Sequence, residues 1–247
     1  MIATYAGNLI IGSVRMIIDG AWGVEVFGYF SFSLTLANVF LTFINQVSIV
    51  IFPALRRVNS KQQKNVYHLM RNALSFILPL VMLGYFPITI FVQKLLPNYT
   101  KSLLFLPMFL PICTFDGKMQ MMCSSFFKSM RKEFVLLKIN IITLCCSIIM
   151  ALVGSFLVKN VYFVAIGILC MIAFRSIISE LILARYMKVS IKVELLQEII
   201  IVALFVIGAL AFPAHIMFIL YLFIYIGYIV LNKKRLLNVL KLRSSYS

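Results

Sequence analysis

The sequence predicts an all-α membrane protein, a polytopic bundle of about eight transmembrane helices. Two observations carry the prediction. Hydrophobic residues make up 63% of the 247 and charged residues 12%, with a mean hydropathy of +1.04. A soluble domain averages roughly 45–50% apolar and about 25% charged residues, so this chain lacks the side chains to cover a water-facing surface. The second observation is that the 23 Lys and Arg gather in alternate connections between apolar runs. A soluble enzyme, a disordered tail and a secreted disulfide scaffold are all excluded on these grounds.

The apolar runs are residues 3–18, 28–55, 72–94, 102–125, 139–158, 161–183, 198–213 and 215–231. A span takes about 20 apolar residues, with a range of roughly 17–25. The first and seventh runs are short by that measure. The second is long, which calls for tilt or an interfacial start. The third contains Pro79 and Pro87, and the fourth Pro107 and Pro111. Each proline removes a backbone donor and bends its helix, as in transporters whose broken helices line a cavity. The first four spans fill residues 1–125. The remaining four and a basic tail fill 126–247, within a single membrane domain.

Cations fix the expected orientation. Seventeen of the 23 lie in segments 56–71, 126–138 and 185–192 and in the tail, while the alternate connections hold only Lys94, Lys101 and Lys159. Cytoplasmic loops concentrate Lys and Arg. Both termini are therefore expected in the cytoplasm. The net charge of +16 caps apolar helices rather than forming a nucleic-acid-binding face, and anionic membrane lipid is its expected partner. The N-terminus lacks the basic lead and small-residue cleavage site of a signal peptide.

Site chemistry is sparse. The five cysteines form no CxxC pair and read as small packing residues. His68 and His215 are far apart with no carboxylate beside them, against a zinc site. With only Asp19 and Asp116 there is no DxD motif, and no glycine-rich phosphate loop occurs. No cofactor or metal is called for.

The informative groups are ionisable residues inside the spans, which cost roughly 2.5–3.5 kcal/mol each at bilayer centre by insertion scales and therefore face a cavity or a partner. Arg15 shares a helix face with Asn8 and with Asp19 at i+4, so an Arg15–Asp19 pair is one expectation and ligand contact the other. Asp116 and Lys118, at i and i+2, face apart, and Lys118 lies within snorkelling reach of the cytoplasmic rim. Arg175 lies furthest from either rim, whereas Glu180 lies nearer the basic one, which it is expected to join. Arg175, Arg15, Lys118 and Asn8 are the candidate substrate contacts. Asp116 and Glu180 are the candidate ion-coupling carboxylates.

The ordered pattern GNLIIGSVRMIID, GVEVFGYFSFSLTLANVF, IFPALRRV and LLPNYTKSLLFLPMFLP resembles bacterial oligosaccharide flippases. These are the Wzx-like polysaccharide transporters of the multidrug/oligosaccharidyl-lipid/polysaccharide (MOP) exporter superfamily. The matching positions are Asn8 and Arg15, then Gly28, Tyr29 and Ser31, then Pro53 before Arg56 and Arg57, and the external turn Pro97 to Tyr99. The resemblance is carried by the first 125 residues. It implies one lobe of a MOP/MATE-like transporter in the bacterial inner membrane, matching the second lobe. A first lobe is then expected as partner, in cis or in trans, and a polysaccharide polymerase as a further one. The implied activity is flipping of undecaprenyl-pyrophosphate-linked oligosaccharide units for O-antigen, capsule or exopolysaccharide synthesis, which makes the chain a transporter, not an enzyme. The alternatives are a cation-coupled drug or metabolite antiporter of the same superfamily, and a membrane polymerase or acyltransferase. The last would need a catalytic carboxylate or histidine backed by a substantial external loop.

The charge partition makes a topological prediction. In a cysteine-less background, Gln62→Cys is expected to label only from the cytoplasm and Tyr99→Cys only from outside. The opposite labelling pattern rejects the orientation.

Overall fold

An apolar chain in lipid has no water to satisfy its peptide groups, so each spanning segment must close its own hydrogen bonds as a helix. The computed structural model describes residues 2–56, 60–233 and 235–236, with the side chains of 2–6, 8, 45, 47–56 and 60–62 outside that description. The described residues are helical with short turns, and none is in a strand. Six helices are long and apolar enough to cross a membrane, or seven if the bent pair Pro97–Leu104 and Leu106–Ser129 counts as one span.

The first helix, α1 (Ile2–Arg56), has 55 residues. Straight, it would measure about 82 Å at 1.5 Å per residue, against a hydrocarbon core of about 30 Å. It folds back instead at Gly23, whose φ of 76° lies in the region that glycine enters without strain. The Arg15 Nε donates to Ser31 Oγ at 3.1 Å. Sixteen residues along a straight helix span about 24 Å, so this bond requires limbs 2–22 and 24–56 to lie side by side. The expected connection at 19–27 is thus a one-residue break with helix on both sides.

The next rod changes pitch twice. Helix α2 (Ser60–Ile77) passes into a 3-10 segment, Leu78–Gly84, and then into α3 (Tyr85–Leu95). Helix therefore begins well before the expected residue 72. Much of the expected basic loop is helical, and it carries Arg71 into the protein. A 3-10 run longer than three or four residues is uncommon because its hydrogen bonds are poorer. Pro79 starts this one, and a stripe of tyrosines supports it. The hydroxyl of Tyr221 donates to the Pro79 carbonyl at 2.9 Å and that of Tyr225 to the Phe76 carbonyl at 2.7 Å.

A second 3-10 segment, Pro97–Leu104, meets α4 (Leu106–Lys118) at 63°. The rod continues through a π-helical turn, Met119–Ser124, and α5 (Ser125–Ser129). Left-handed Arg131 then turns the chain into α6 (Glu133–Leu152) and a π-helical end, Val153–Val158. Left-handed Lys159 ends that rod, and the Asn160 side chain caps α7 (Val161–Met187) by accepting from the amides of Tyr162 and Phe163. Helices α8 (Lys192–Ala211) and α9 (Ala214–Leu231) complete the bundle. The expected seventh span at 198–213 begins six residues earlier, at Lys192.

Helix α4 sits at the centre, where every one of its residues except Asp116 is buried. It contacts α1, α7, α8 and the Leu78–Gly84 segment, while α1 also packs along α6. Phe30, Leu34, Ala37 and Leu41 form the stripe that α1 presents to this core. The described parts of residues 1–125 and 126–247 are thus interleaved in one body. The outer face carries Met16, Phe43, Phe134, Leu157 and Phe223, all exposed. Exposed large apolar side chains around a core holding buried charge suit lipid as the surrounding medium.

Tyr221→Phe is expected to remove the side-chain donor to the Pro79 carbonyl and to cost about 0.5–1.5 kcal/mol, the net worth of a typical hydrogen bond. Thermal unfolding of the detergent-purified chain measures it. An unchanged melting temperature would mean that the 3-10 segment does not need the tyrosine.

Candidate functional site

Two polar constellations lie inside this apolar bundle, on opposite faces of α4. The first is a cleft of about 290 Å³ between both limbs of α1, α4 and α7. The helical period supplies its lining in pairs: Gly12 with Arg15, Asn38 with Thr42, Asp116 with Gln120, and Ile172 with Arg175. Arg175 stands about 21 Å along α7 from Val161 and about 18 Å before Met187 at 1.5 Å per residue, so the cleft lies at mid-helix. Its guanidinium is nearly buried, with Nη2 3.4 Å from Asp116 Oδ1. An added Cβ at Gly7 would stand only 3.1–3.4 Å from the guanidinium, so a glycine backbone walls one face of Arg175. Arg15 is half-buried, with its Nε given to Ser31 and its guanidinium 5.4 Å from the Phe27 ring centroid.

With two guanidinium groups and one carboxylate, the described lining carries one net positive charge. An arginine fork matches phosphate oxygens in plane. Ligand pockets run from about 300 to 1,000 Å³, so this one suits a compact charged group rather than a whole oligosaccharide.

The second constellation is a buried ion network. Arg71 Nε is 2.6 Å from Glu180 Oε1, and Lys118 Nζ is 3.3 Å from Glu180 Oε2. Lys118 also pairs with Glu198, and Arg71 Nη2 lies 3.9 Å from Glu198 Oε1. The side chains of all four are 1–2% exposed. Glu194 extends the network outward to Arg235 at 3.2 Å. Four helices meet here, α2, α4, α7 and α8, inside a wall that includes Tyr67, Leu74, Met122, Phe126, Leu183 and Leu195. Each of the two central carboxylates bridges two cations. That matters because desolvation costs several kcal/mol per ion before pairing.

The two constellations sort the sequence-predicted residues. Arg15, Arg175 and Asp116 are brought together at the cleft. The Asn8 side chain lies outside the described residues. Asp116 and Lys118 do face apart, as their spacing of about 200° around the helix demands. Lys118, however, neither joins the cleft nor snorkels to a rim. It is buried among carboxylates, which offer a buried ammonium more than an apolar path to water does. Glu180 does not join the basic rim but is fully buried between Arg71 and Lys118. Arg15 does not pair with Asp19, because Gly23 returns Ser31 and Phe27 to its side and leaves Asp19 exposed.

Sequence reasoning missed Arg71 and Glu198. Both carried a signal. Arg71 sits among Tyr67, Met70 and Leu74 on the apolar face of α2, and Glu198 follows Glu194 by one turn at the head of an apolar helix. Among the described residues, no cluster of His, Cys, Asp or Glu could hold a metal ion. Compared with protein-family models, curated proteins and solved structures, the chain matches none.

Lys118→Met is expected to leave Glu180 and Glu198 facing each other with one shared cation fewer. The cost is about 3–5 kcal/mol, typical of breaking a buried pair from one side. Adding Glu198→Met restores charge balance, so the double variant is expected to regain most of the loss in thermal unfolding. Additive losses would show that the two groups do not act as a pair.

Proposed function

We propose that the chain forms one wall of a transporter for an anionic, lipid-linked substrate. In this reading it is a lobe of a lipid-linked oligosaccharide flippase of the bacterial cytoplasmic membrane. The observation that carries the proposal is Arg175, a nearly buried guanidinium held at mid-helix beside a polar cleft that Arg15 also lines. A charge so placed is costly unless a ligand or partner uses it. A pyrophosphate between lipid and sugar offers two oxyanions, which two arginines can grip together. The flippase resemblance of the first 125 residues supplies the sugar and the polyprenyl carrier.

In this reading the limbs of α1 count separately and the bent rod around α4 as one, for eight spans with both termini in the cytoplasm. Contacts support a shared basic end. Lys132 lies over the Tyr186 ring at 3.4 Å, and Arg235 reaches Glu194 and Gln197. At the other end Ser33 donates to the Ser102 carbonyl, and Lys101 pairs with Glu25 at 3.3 Å. In this reading, Thr35 and Thr42, exposed on the second limb, face an opposite lobe rather than lipid. The lobes then alternate around the cleft.

Asp116 favours a second reading, a cation-coupled antiporter, because it is a carboxylate lining the same cleft. Asp116-dependent export of a cationic dye from proton-loaded vesicles would support that reading.

The test of the first reading is Arg175→Ala in a flippase-dependent strain that carries the chain with whatever partner lobe it requires. Surface polysaccharide is expected to fall to background while membrane abundance holds. Arg175→Lys is expected to restore only part of it, because one ammonium cannot reproduce the planar fork. Full activity in the Ala variant would remove Arg175 from the substrate path.

A further inference from the structure

Among the described residues, the non-glycine positions with positive φ are Arg131 (56°), Lys159 (52°) and Lys188 (53°), all cations at the ends of helical rods. The left-handed region strains a residue that has a Cβ, and glycine enters it freely. Arg131 and Lys188 sit in the same motif. The Lys132 amide donates back to the Phe127 carbonyl at 2.8 Å, and the Val189 amide to the Ala184 carbonyl at 3.0 Å. Each bond closes a helix over its left-handed residue, at the position where glycine is usual. The helix dipole does not account for the choice. It favours a cation anywhere in the last turn, and Lys128 and Arg185 already stand there. The two turns also touch, with the Lys132 ammonium 3.4 Å from the centroid of the Tyr186 ring. Arg131, Arg185 and Lys188 are exposed and Lys132 is half-buried, with exposed Glu133 the acidic residue next in the chain. Backbone strain held beside a cluster of like charge is a mark of use.

We propose that the α5–α6 and α7–α8 turns together form one binding site for the headgroup of an anionic phospholipid with two phosphates, of the diphosphatidylglycerol type. The site is independent of the transport reading and narrower than a general attraction of basic loops to lipid. Arg131, Lys132, Arg185 and Lys188 against Glu133 give it a net charge of +3, more than one phosphodiester neutralises. Each turn offers one strained cation, a planar guanidinium from Arg131 and a point charge from Lys188, and both forms bind phosphate. The contact of Lys132 with the Tyr186 ring face keeps the two turns together. The apolar surface beside the cations selects a lipid over a free phosphate. Phe134, two residues past Lys132, is 79% exposed, and Leu181, one turn before Arg185, is 40% exposed. Each stands on a helix that runs from its turn into the apolar bundle, so acyl chains can lie along α6 and α7 while the phosphates meet the turns. Lys159 supplies the contrast. It has the same backbone strain, but in the α6–α7 turn, at the opposite end of both helices.

The experiment is native mass spectrometry of the full chain in mild detergent, titrated with cardiolipin, phosphatidylglycerol or phosphatidylcholine, with thermal unfolding measured alongside. Wild type is expected to hold cardiolipin most tightly, phosphatidylglycerol with its single phosphate more weakly, and phosphatidylcholine not at all. Inorganic pyrophosphate is expected not to displace the lipid. The double variant Arg131→Gly, Lys188→Gly is expected to unfold no earlier than wild type, because glycine relieves the left-handed strain. It is expected to bind cardiolipin about thirtyfold more weakly, the combined worth of two cations beside anionic lipid. The swap Arg131→Lys, Lys188→Arg keeps the charge and is expected to keep the binding. Lys159→Gly removes an equally strained cation and is expected to leave cardiolipin binding unchanged. Unaltered cardiolipin binding in the double glycine variant, or an equal loss in Lys159→Gly, would overturn the site. Equal affinity for phosphatidylglycerol would overturn the two-phosphate occupant, and displacement by inorganic pyrophosphate would overturn a lipid one.

Discussion

A charge at bilayer depth must have a partner, and the crossing of α4 with α7 is where this chain provides one twice. On one face of the crossing Arg175 of α7 reaches Asp116 of α4. On the other, Lys118 of α4 reaches Glu180 of α7. The donor helix is reversed between the two pairs, so neither helix can turn about its axis without loosening both. The rest of the bundle is arranged around that crossing. The α1 hairpin closes the cleft face, and α2 and α8 close the network face by adding Arg71 and Glu198 to the second pair.

The irregular helices follow from the same constraint. A regular helix gives its side chains fixed azimuths, about 100° per residue, and α4 must place Asp116 in a cleft and Lys118 in a closed network within one short stretch. The π-helical turn Met119–Ser124 begins directly after Lys118 and re-aims the chain, so that Met122 and Phe126 still pack over the network. The 3-10 segment Leu78–Gly84 stands on the path from Arg71 to α3. The tyrosines of α9 donate to one carbonyl within it, that of Pro79, and to one just before it, that of Phe76.

What the sequence disclosed and what it withheld divide along the same line. Membrane class and the run of apolar helices were legible because they depend on composition and local period. Arg175 and Asp116 were legible as individuals because a charge far from any rim must have a reason to be there. Pairings were not legible. Arg71 and Glu180 are 109 residues apart, and which face of α2 meets which face of α7 is settled by packing across the whole bundle. Arg15 shows how local reasoning errs: the i+4 rule offered Asp19, but a single glycine at the break delivered Ser31 from the returning limb. Glu198 was passed over because it stands at the edge of an apolar run. There it reads as a rim charge unless the facing cations are known.

The two constellations also differ in a way that bears on motion. The four central groups of the network are buried behind a largely apolar wall, and each of its two central carboxylates holds two cations. Opening it would put several charges out of partnership at once, a cost far above thermal energy. The cleft pair is one contact beside a polar cavity. A bundle built this way resists separation at the network and yields at the cleft.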